Sequence, residues 1–324
     1  MIETALTDLF GLQHPIVLAP MGRIAGGRLA AAVSNAGALG LVGGGYGDAQ
    51  WLATELSLAR QGTMRAWGVG FITWSAAPSV VELALRYGPD AVMLSFGDPE
   101  PYARMVKASG AALICQVQDL EEAQRAVRAG ADVIVAQGTE GGGHGGRRST
   151  LSLVPAVVDA VAPIPVVAAG GIADGRGLAA ALMLGAQGAL IGTRFYATLE
   201  SLGHAEAKRR ICEARGDETA RTRVFDLVRG LAWPEKYPGR ALRNGFLQRW
   251  HGHEAELAEA VPAERRRYQC AADERDFDTA AVWAGESVDL IDEVEGAAAI
   301  VQRIVAEAEG RLRRPVSRSS VRRP

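Results

Sequence analysis

His144 stands inside a run of glycines, Gln137-Gly-Thr-Glu-Gly-Gly-Gly-His-Gly-Gly146. An imidazole titrates near neutrality, so a histidine in such a loop can take a proton from carbon or oxygen at physiological pH. Glycines beside it let main-chain N–H groups approach a ligand closely and form anion-binding nests. Other stretches share that capacity: Ala19-Pro-Met-Gly22, Gly43-Gly-Gly-Tyr-Gly47, Ala169-Gly-Gly-Ile172 and Gly192-Thr193. Tight turns need glycine whatever their function, and for Gly43–Gly47 the two readings balance. For Ala169-Gly-Gly-Ile172 taken with Gly192-Thr-Arg-Phe195, a spacing of one βα unit favours a phosphate grip.

Gly141, Gly143 and Gly146 form a formal G-x-G-x-x-G match, but Arg147 and Arg148 follow it and no helix is expected before Leu153. A dinucleotide fingerprint requires a tight turn into a helix and an acidic residue further on, so this match is discounted. His14 reads as structural, and His204 belongs to a later segment. His251 and His253 beside Glu254 lack a third ligand and read as an exposed helix start, so no metal site is expected. The tryptophans read as packing, with Trp74 the one expected to border a substrate pocket. Arg23, just after the first apolar run, is a candidate helper or a surface ion pair.

The elements that must position these residues are legible as short apolar runs without alternation, as buried parallel strands read. They are Pro15–Ala19, Leu39–Val42, Ala66–Phe71, Ala91–Leu94, Ala112–Gln116, Asp132–Ala136, Pro165–Ala169 and Gly188–Ile191. Helical segments alternate with them at Gly27–Ser34, Ala49–Arg60, Pro78–Tyr87, Asp119–Ala129, Leu153–Val161 and Gly175–Leu184, with Asp119 and Asp174 as N-caps. The pattern predicts an α/β fold, a TIM-type (β/α)₈ barrel with its site at the C-terminal ends of the strands, over an open doubly wound sheet. Residues 1–199 and about 285–312 are assigned to the barrel and a closing helix. Residues 200–284 are read as a mostly helical appendage. The closing helix is expected over Ser287–Leu312, from the spacing of Val288, Ile291, Val294, Ala298, Val301, Ile304 and Val305. Residues 313–324, arginine-rich and almost without apolar content, are expected to be a disordered basic tail.

Of 324 residues, 48% are hydrophobic and the net charge is only -2, which supplies a large core and no bulk attraction to nucleic acid or membrane. A small-molecule partner is therefore expected. The N-terminus has no signal-peptide pattern and no apolar stretch reaches bilayer length, so a cytoplasmic location is the default. Three scattered cysteines, Cys115, Cys212 and Cys270, suit a reducing compartment and are each read as a buried small hydrophobe.

Taken together, Ala19-Pro-Met21, Gln137-Gly-x-Glu-Gly-Gly-Gly-His144-x-Gly, Ala168-Ala-Gly-Gly-Ile-Ala-Asp-Gly-Arg176 and Gly192-Thr-Arg-Phe195 resemble the nitronate monooxygenases, formerly called 2-nitropropane dioxygenases. The resemblance spans nearly the whole chain and extends to Ala197-Thr-Leu-Glu-Ser201, Val224-Phe-Asp226 and Arg243-Asn-Gly-Phe246. It implies FMN bound without a covalent link. Gly170, Gly171, Gly192 and Thr193 would hold its phosphate, Gln137 and Gly142 would contact the ring region, and Met21 and Gly22 would flank the ring. Ala19, Pro20, Gly70, Gly143 and Ala169 complete the implied cofactor-binding set. His144 matches the family's catalytic histidine, which removes a proton from the carbon bearing a nitro group or orients an anionic nitronate. Oxygen then gives a carbonyl compound and nitrite. Two departures stand out: Gly141 replaces a frequent alanine, and Gly70 replaces a frequent asparagine at the end of strand three. The same motifs resemble FMN-dependent enoyl-acyl-carrier-protein reductases and NAD(P)H:quinone reductases, in which NAD(P)H reduces the flavin. A flavin-binding protein without turnover is the third reading, against which stands the presence of His144 and the Gly170–Gly171 pair.

Overall fold

The computed structural model describes residues 2–313; the basic tail beyond Arg313 lies outside the described residues. Eight parallel strands form one sheet: β1 (Ile16–Leu18), β2 (Gly40–Gly45), β3 (Trp67–Ile72), β4 (Ala91–Ser95), β5 (Ala112–Val117), β6 (Val133–Gln137), β8 (Val166–Ala169) and β9 (Ala189–Ile191). β9 returns to pair with β1, and a parallel bridge between Val17 and Leu39 joins β1 to β2, so the sheet closes on itself as a TIM-type barrel. All eight strands fall on the apolar runs of the sequence.

Both strand faces are apolar because both are buried, which removes the alternation of a half-exposed strand. Val17, Leu41, Met93, Ile114, Val135, Val167 and Leu190 fill the interior. Their neighbours Ile16, Val42, Val69, Val92, Leu113, Ile134 and Ala168 face the helical ring. The helix Ala5–Phe10 closes the lower end: a Thr4 capping box starts it, and Leu6, fully buried, enters the interior cluster.

Asp119 and Asp174 cap their helices as expected, accepting from Glu122 N and from Arg176 N and Gly177 N. Three helices of the barrel region were not anticipated, Ala5–Phe10, Glu100–Ala108 and the single turn Thr193–Tyr196. The closing helix is shorter than its apolar spacing suggests. It runs Ala297–Arg313, while Glu286–Leu290 is a separate 3-10 turn. Gly296 precedes the true start, where the Glu200 carboxylate accepts the Ala297 N–H, so Val288, Ile291 and Val294 belong to the connection. The helix seats against Gly175–Met183, where any Cβ on Gly175 would lie 2.4 Å from Ile304 O.

Residues 200–296 are not wholly helical. β10 (Thr219–Thr222) and β11 (Gly239–Leu242) pair antiparallel, and β11 also pairs with β7 (Gly143–His144) within the loop after β6. Of the cysteines only Cys115 is buried; Cys212 is half-buried and Cys270 exposed, a correction to the uniform reading, because Cys270 lies on the outer side of the helix Glu254–Glu274. No helix among the described residues is long and apolar enough to cross a membrane.

Leu6→Ala should cost about 2–5 kcal/mol, since a cavity would open at the floor of the barrel. Denaturant unfolding with flavin content as a second probe checks this; a change below about 1 kcal/mol would show that the helix is not an integral floor.

Candidate active site

The loop that follows β6 is too rich in glycine to hold a shape alone, and charged side chains hold it. Glu140 accepts the Thr150 N–H at 3.0 Å and the Thr150 hydroxyl at 2.8 Å. Arg221, on β10, is a hub of main-chain acceptors: Thr139 O at 2.8 Å, Gly141 O and Gly145 O at 3.3 Å, and Pro238 O at 2.6 Å. Burial, with Arg240 adding repulsion, pulls the Arg221 guanidinium down to about 10. Arg240 reaches the same Thr139 carbonyl at 3.1 Å and pairs with Glu286 at 2.8 Å.

Within this frame β7 presents His144, which is buried. Its Nε2 lies 3.0 and 2.9 Å from the two carboxylate oxygens of Asp226, itself buried at the start of the helix Val224–Arg229. A carboxylate only accepts, so the proton sits on Nε2 and the lone pair on Nδ1. Nδ1 has no hydrogen-bond partner among the described residues. Burial lowers the pKa of His144, and the bond and charge of Asp226 oppose it only in part, so the imidazole is held neutral. Trp233 stacks on the ring at 3.4 Å with an interplanar angle of 3°, and its Nε1 donates to the Tyr46 hydroxyl at 2.9 Å.

Asp226 and Trp233 are the functional residues that the sequence reading missed. Val224-Phe-Asp226 stood within the family resemblance, yet nothing in a single chain ties residue 226 to residue 144. Trp233 was read as packing and is corrected here: it covers one face of the candidate base. Trp74, read as bordering the pocket, edges Trp233 at 5.3 Å and Tyr46 at 6.1 Å. Arg23 forms an exposed ion pair with Asp48 at 2.5 Å, the surface alternative.

The glycine-rich strand ends meet around the same mouth. Gly170 (φ +101°) and Gly171 (φ +72°) follow β8 in left-handed conformations, and a Cβ on Gly170 would lie 2.7 Å from Gly138 O. The N–H groups of Gly170, Gly171 and Gly192 donate to nothing among the described residues. Beyond β9, the Thr193 hydroxyl accepts Gly285 N at 3.0 Å. Met21 lies beside Gly192, its sulfur 3.7 Å from where a Cβ would stand there, and a Cβ on Gly22 would lie 3.3 Å from Gly45 Cα. Ala19 and Ala169 lie in the layer beneath, packed with the barrel interior. Gln137 spends its amide on protein: Gln116 and Gln118 each donate to its Oε1 at 3.0 Å, and its Nε2 donates to His144 O at 3.1 Å. Gly142 is glycine for a reason unrelated to a ligand, since a Cβ would lie 2.6 Å from the crossing backbone at Ala284 and Gly285. Gly143, at φ +69°, makes the turn into His144. Gly70 faces Pro20, whose ring carbons would lie 2.3 and 2.5 Å from any Cβ. Among the described residues no cluster of three or more metal-ligating side chains exists; His253 instead pairs with Glu256 at 2.8 Å.

The fold and this mouth define a barrel enzyme with a carboxylate-held histidine beside a nest of main-chain donors. The model of the nitronate monooxygenase family matches residues 3–77 and 72–307, and the chain belongs to that family of oxidoreductases. It is 34% identical to a nitronate monooxygenase of Neurospora crassa, over 96% of this chain and 95% of that one. It is 38% identical to the (3aS,4S,5R,7aS)-5-hydroxy-7a-methyl-1-oxo-octahydro-1H-indene-4-carboxyl-CoA dehydrogenase of Mycobacterium tuberculosis, over 76% of this chain and 68% of that protein. The structure of FabK from Thermotoga maritima superposes with a TM-score of 0.87 at 34% identity, covering 96% of this chain and 98% of that one.

Arg221→Met would strip several buried carbonyls of their donor at once and should cost at least about 3 kcal/mol while loosening the His144 loop. Thermal unfolding and proteolysis within residues 138–149 check this; unchanged protection of that loop would show that Arg221 does not hold it.

Proposed function

We propose that the chain is an FMN-dependent oxidoreductase that takes a proton from the carbon bearing a nitro group and oxidises the nitronate with O₂ to a carbonyl compound and nitrite. The single observation that carries this is the buried His144–Asp226 pair, which leaves Nδ1 as a neutral base without a hydrogen-bond partner among the described residues. The residues present fit FMN: the unengaged N–H groups of Gly170, Gly171 and Gly192 suit a phosphate, and the left-handed glycines leave it room. Ala19, Pro20, Met21 and Gly22 would border the ring. Bound FMN supplies the electron acceptor that no side chain of this mouth provides.

The remaining work falls to the protein. Nδ1 of His144 accepts the proton from the substrate carbon, and Asp226 steadies the imidazolium that results. That new positive charge, with Arg229 nearby, stabilises the anion left on the substrate. Trp233 fixes the imidazole plane and, with Phe96 and Trp74, keeps water from it.

A second reading, a nicotinamide-linked FMN oxidoreductase, is favoured by Gly70. Pro20 fills the place where the family often carries an asparagine, so no amide is there to hold a nitro group or flavin. The relative named as a CoA dehydrogenase acts, by its name, on a substrate other than a nitronate. His144 would then orient the substrate, or donate a proton to it from Nδ1 once the ring has itself been protonated there.

The purified protein should show a flavin spectrum. Mixed anaerobically with an alkyl nitronate it should lose flavin absorbance, while NADH and NADPH leave it unchanged; the reverse pattern selects the second reading. Failure to bind added FMN would sink both. His144→Ala should lower turnover of neutral nitroalkane by about 10²-fold or more and affect preformed nitronate less. Because His144 must be neutral and its pKa lies below 6.5, activity should be full above that pH and fall as the pH drops through the lowered value. Asp226→Asn removes contributions that raise this pKa, so the acid limb should move lower as the rate falls; a limb centred above 6.5 would count against His144 as the base.

A further inference from the structure

Beside the mouth, between the end of β5 and the end of the His144 loop, lies a groove of about 430 Å³. Its wall includes Gln118, whose amide is bonded to Gln137, and Tyr237, which edges Phe96 at 5.3 Å. Phe96 in turn edges His144 at 6.4 Å. Another part of the lining is Arg147, Arg148 and Lys236. Arg147 is three positions from His144, so the two main-chain positions are at most about 10 Å apart. The arginine end of the groove therefore lies within about that distance of the histidine's main chain, and the groove has the volume of a small-molecule pocket, far more than a small nitroalkane needs.

Its lining carries three cations, Arg147, Arg148 and Lys236, and three carboxylates, Asp119, Glu122 and Glu235, of which two have cations of their own. The Asp119 carboxylate caps a helix by accepting Glu122 N at 2.8 Å. Glu122 accepts the Tyr237 hydroxyl and the Lys236 ammonium, both at 2.5 Å. Glu235 is paired with Arg223 at 2.8 Å. Arg147 and Arg148 meet no carboxylate among the described residues; Arg148 spends one N–H on Ser152 O at 3.1 Å. Two adjacent guanidinium groups without acid partners, set on one side of a nucleotide-sized groove, match phosphate oxygens in geometry and charge.

We propose that this groove receives the phosphorylated nucleotide tail of a ligand whose reactive end reaches His144. Two ligands carry such a tail, an acyl thioester of coenzyme A and the phosphorylated nicotinamide dinucleotide. The inference deepens the second reading of the site and rests on it.

Isothermal titration of coenzyme A and of NADPH into the FMN-loaded protein, without turnover, tests this against the charge-reversed variant R147E/R148E. Binding of either nucleotide should weaken by at least about tenfold in the variant, with flavin absorbance unchanged as the check on folding. Binding of coenzyme A alone or of NADPH alone identifies the source of the tail. If neither binds, or both bind the variant as well as the wild type, the proposal is overturned. Flavin reduction by NADPH that ignores the charge reversal overturns the groove and leaves the second reading standing. Charge-sensitive nucleotide binding with no reduction of the flavin by NADPH puts a nucleotide in the groove but gives its reactive end no role at His144, which overturns the proposal together with the reading it rests on.

Discussion

A carboxylate and an imidazole in contact away from water constrain everything around them. Neither Asp226 nor His144 has solvent to fall back on, so each depends on the other, and loss of one strands its partner in a poorly polarisable place. The two come from segments far apart in the chain, and their meeting requires a fixed distance between the barrel mouth and the layer above it. The arginines serve that distance. Arg221 and Arg240 converge on the Thr139 carbonyl and bind the glycine-rich loop to β10 and β11, so a loop with little stiffness of its own presents one side chain in one orientation.

The barrel beneath contributes rigidity and an opening. Its interior is filled by Val, Leu, Ile and Met from successive strands, with Leu6 as the floor. At the upper rim the side chains shrink to Ala19, Gly70 and Ala169, and the space passes to main chain and glycine. That change in size along the barrel axis makes room for a flat ligand and puts N–H groups within its reach.

Much of this was legible in the sequence. Strands buried on both faces announce themselves as unbroken apolar runs, and all eight were placed within a few residues of their observed bounds. Asp119 and Asp174 read as caps because a short acceptor before a helical pattern has few other uses. His144 could be picked out by its surroundings alone. The rest depends on tertiary contact. β7 is two residues long and exists only because β11 lies alongside it, and the helix Glu100–Ala108 is too polar to advertise itself. Val288 and Ile291 carry a helical spacing, but Val288 is held in a 3-10 turn by the docking of Gly285 on Thr193 and of Glu286 on Glu140, and Ile291 is extended just beyond it. Asp226, Trp233 and the unopposed Arg147 and Arg148 are meaningful only once the covering chain is seen folded over the mouth.

The pairing of β7 with β11 has a consequence for how such a site can diversify. Main-chain bonds at Gly143 and His144, opposite Gly239 and Arg240, register the cover on the barrel, helped by the Arg240 side chain on the Thr139 carbonyl. The charged and aromatic residues of the neighbouring connection beyond Trp233, from Glu235 to Tyr237, take no part in that pairing. Their replacement rewrites what the mouth admits while the histidine stays in place. The barrel keeps the reaction and the cover chooses the molecule, joined through a seam indifferent to that choice.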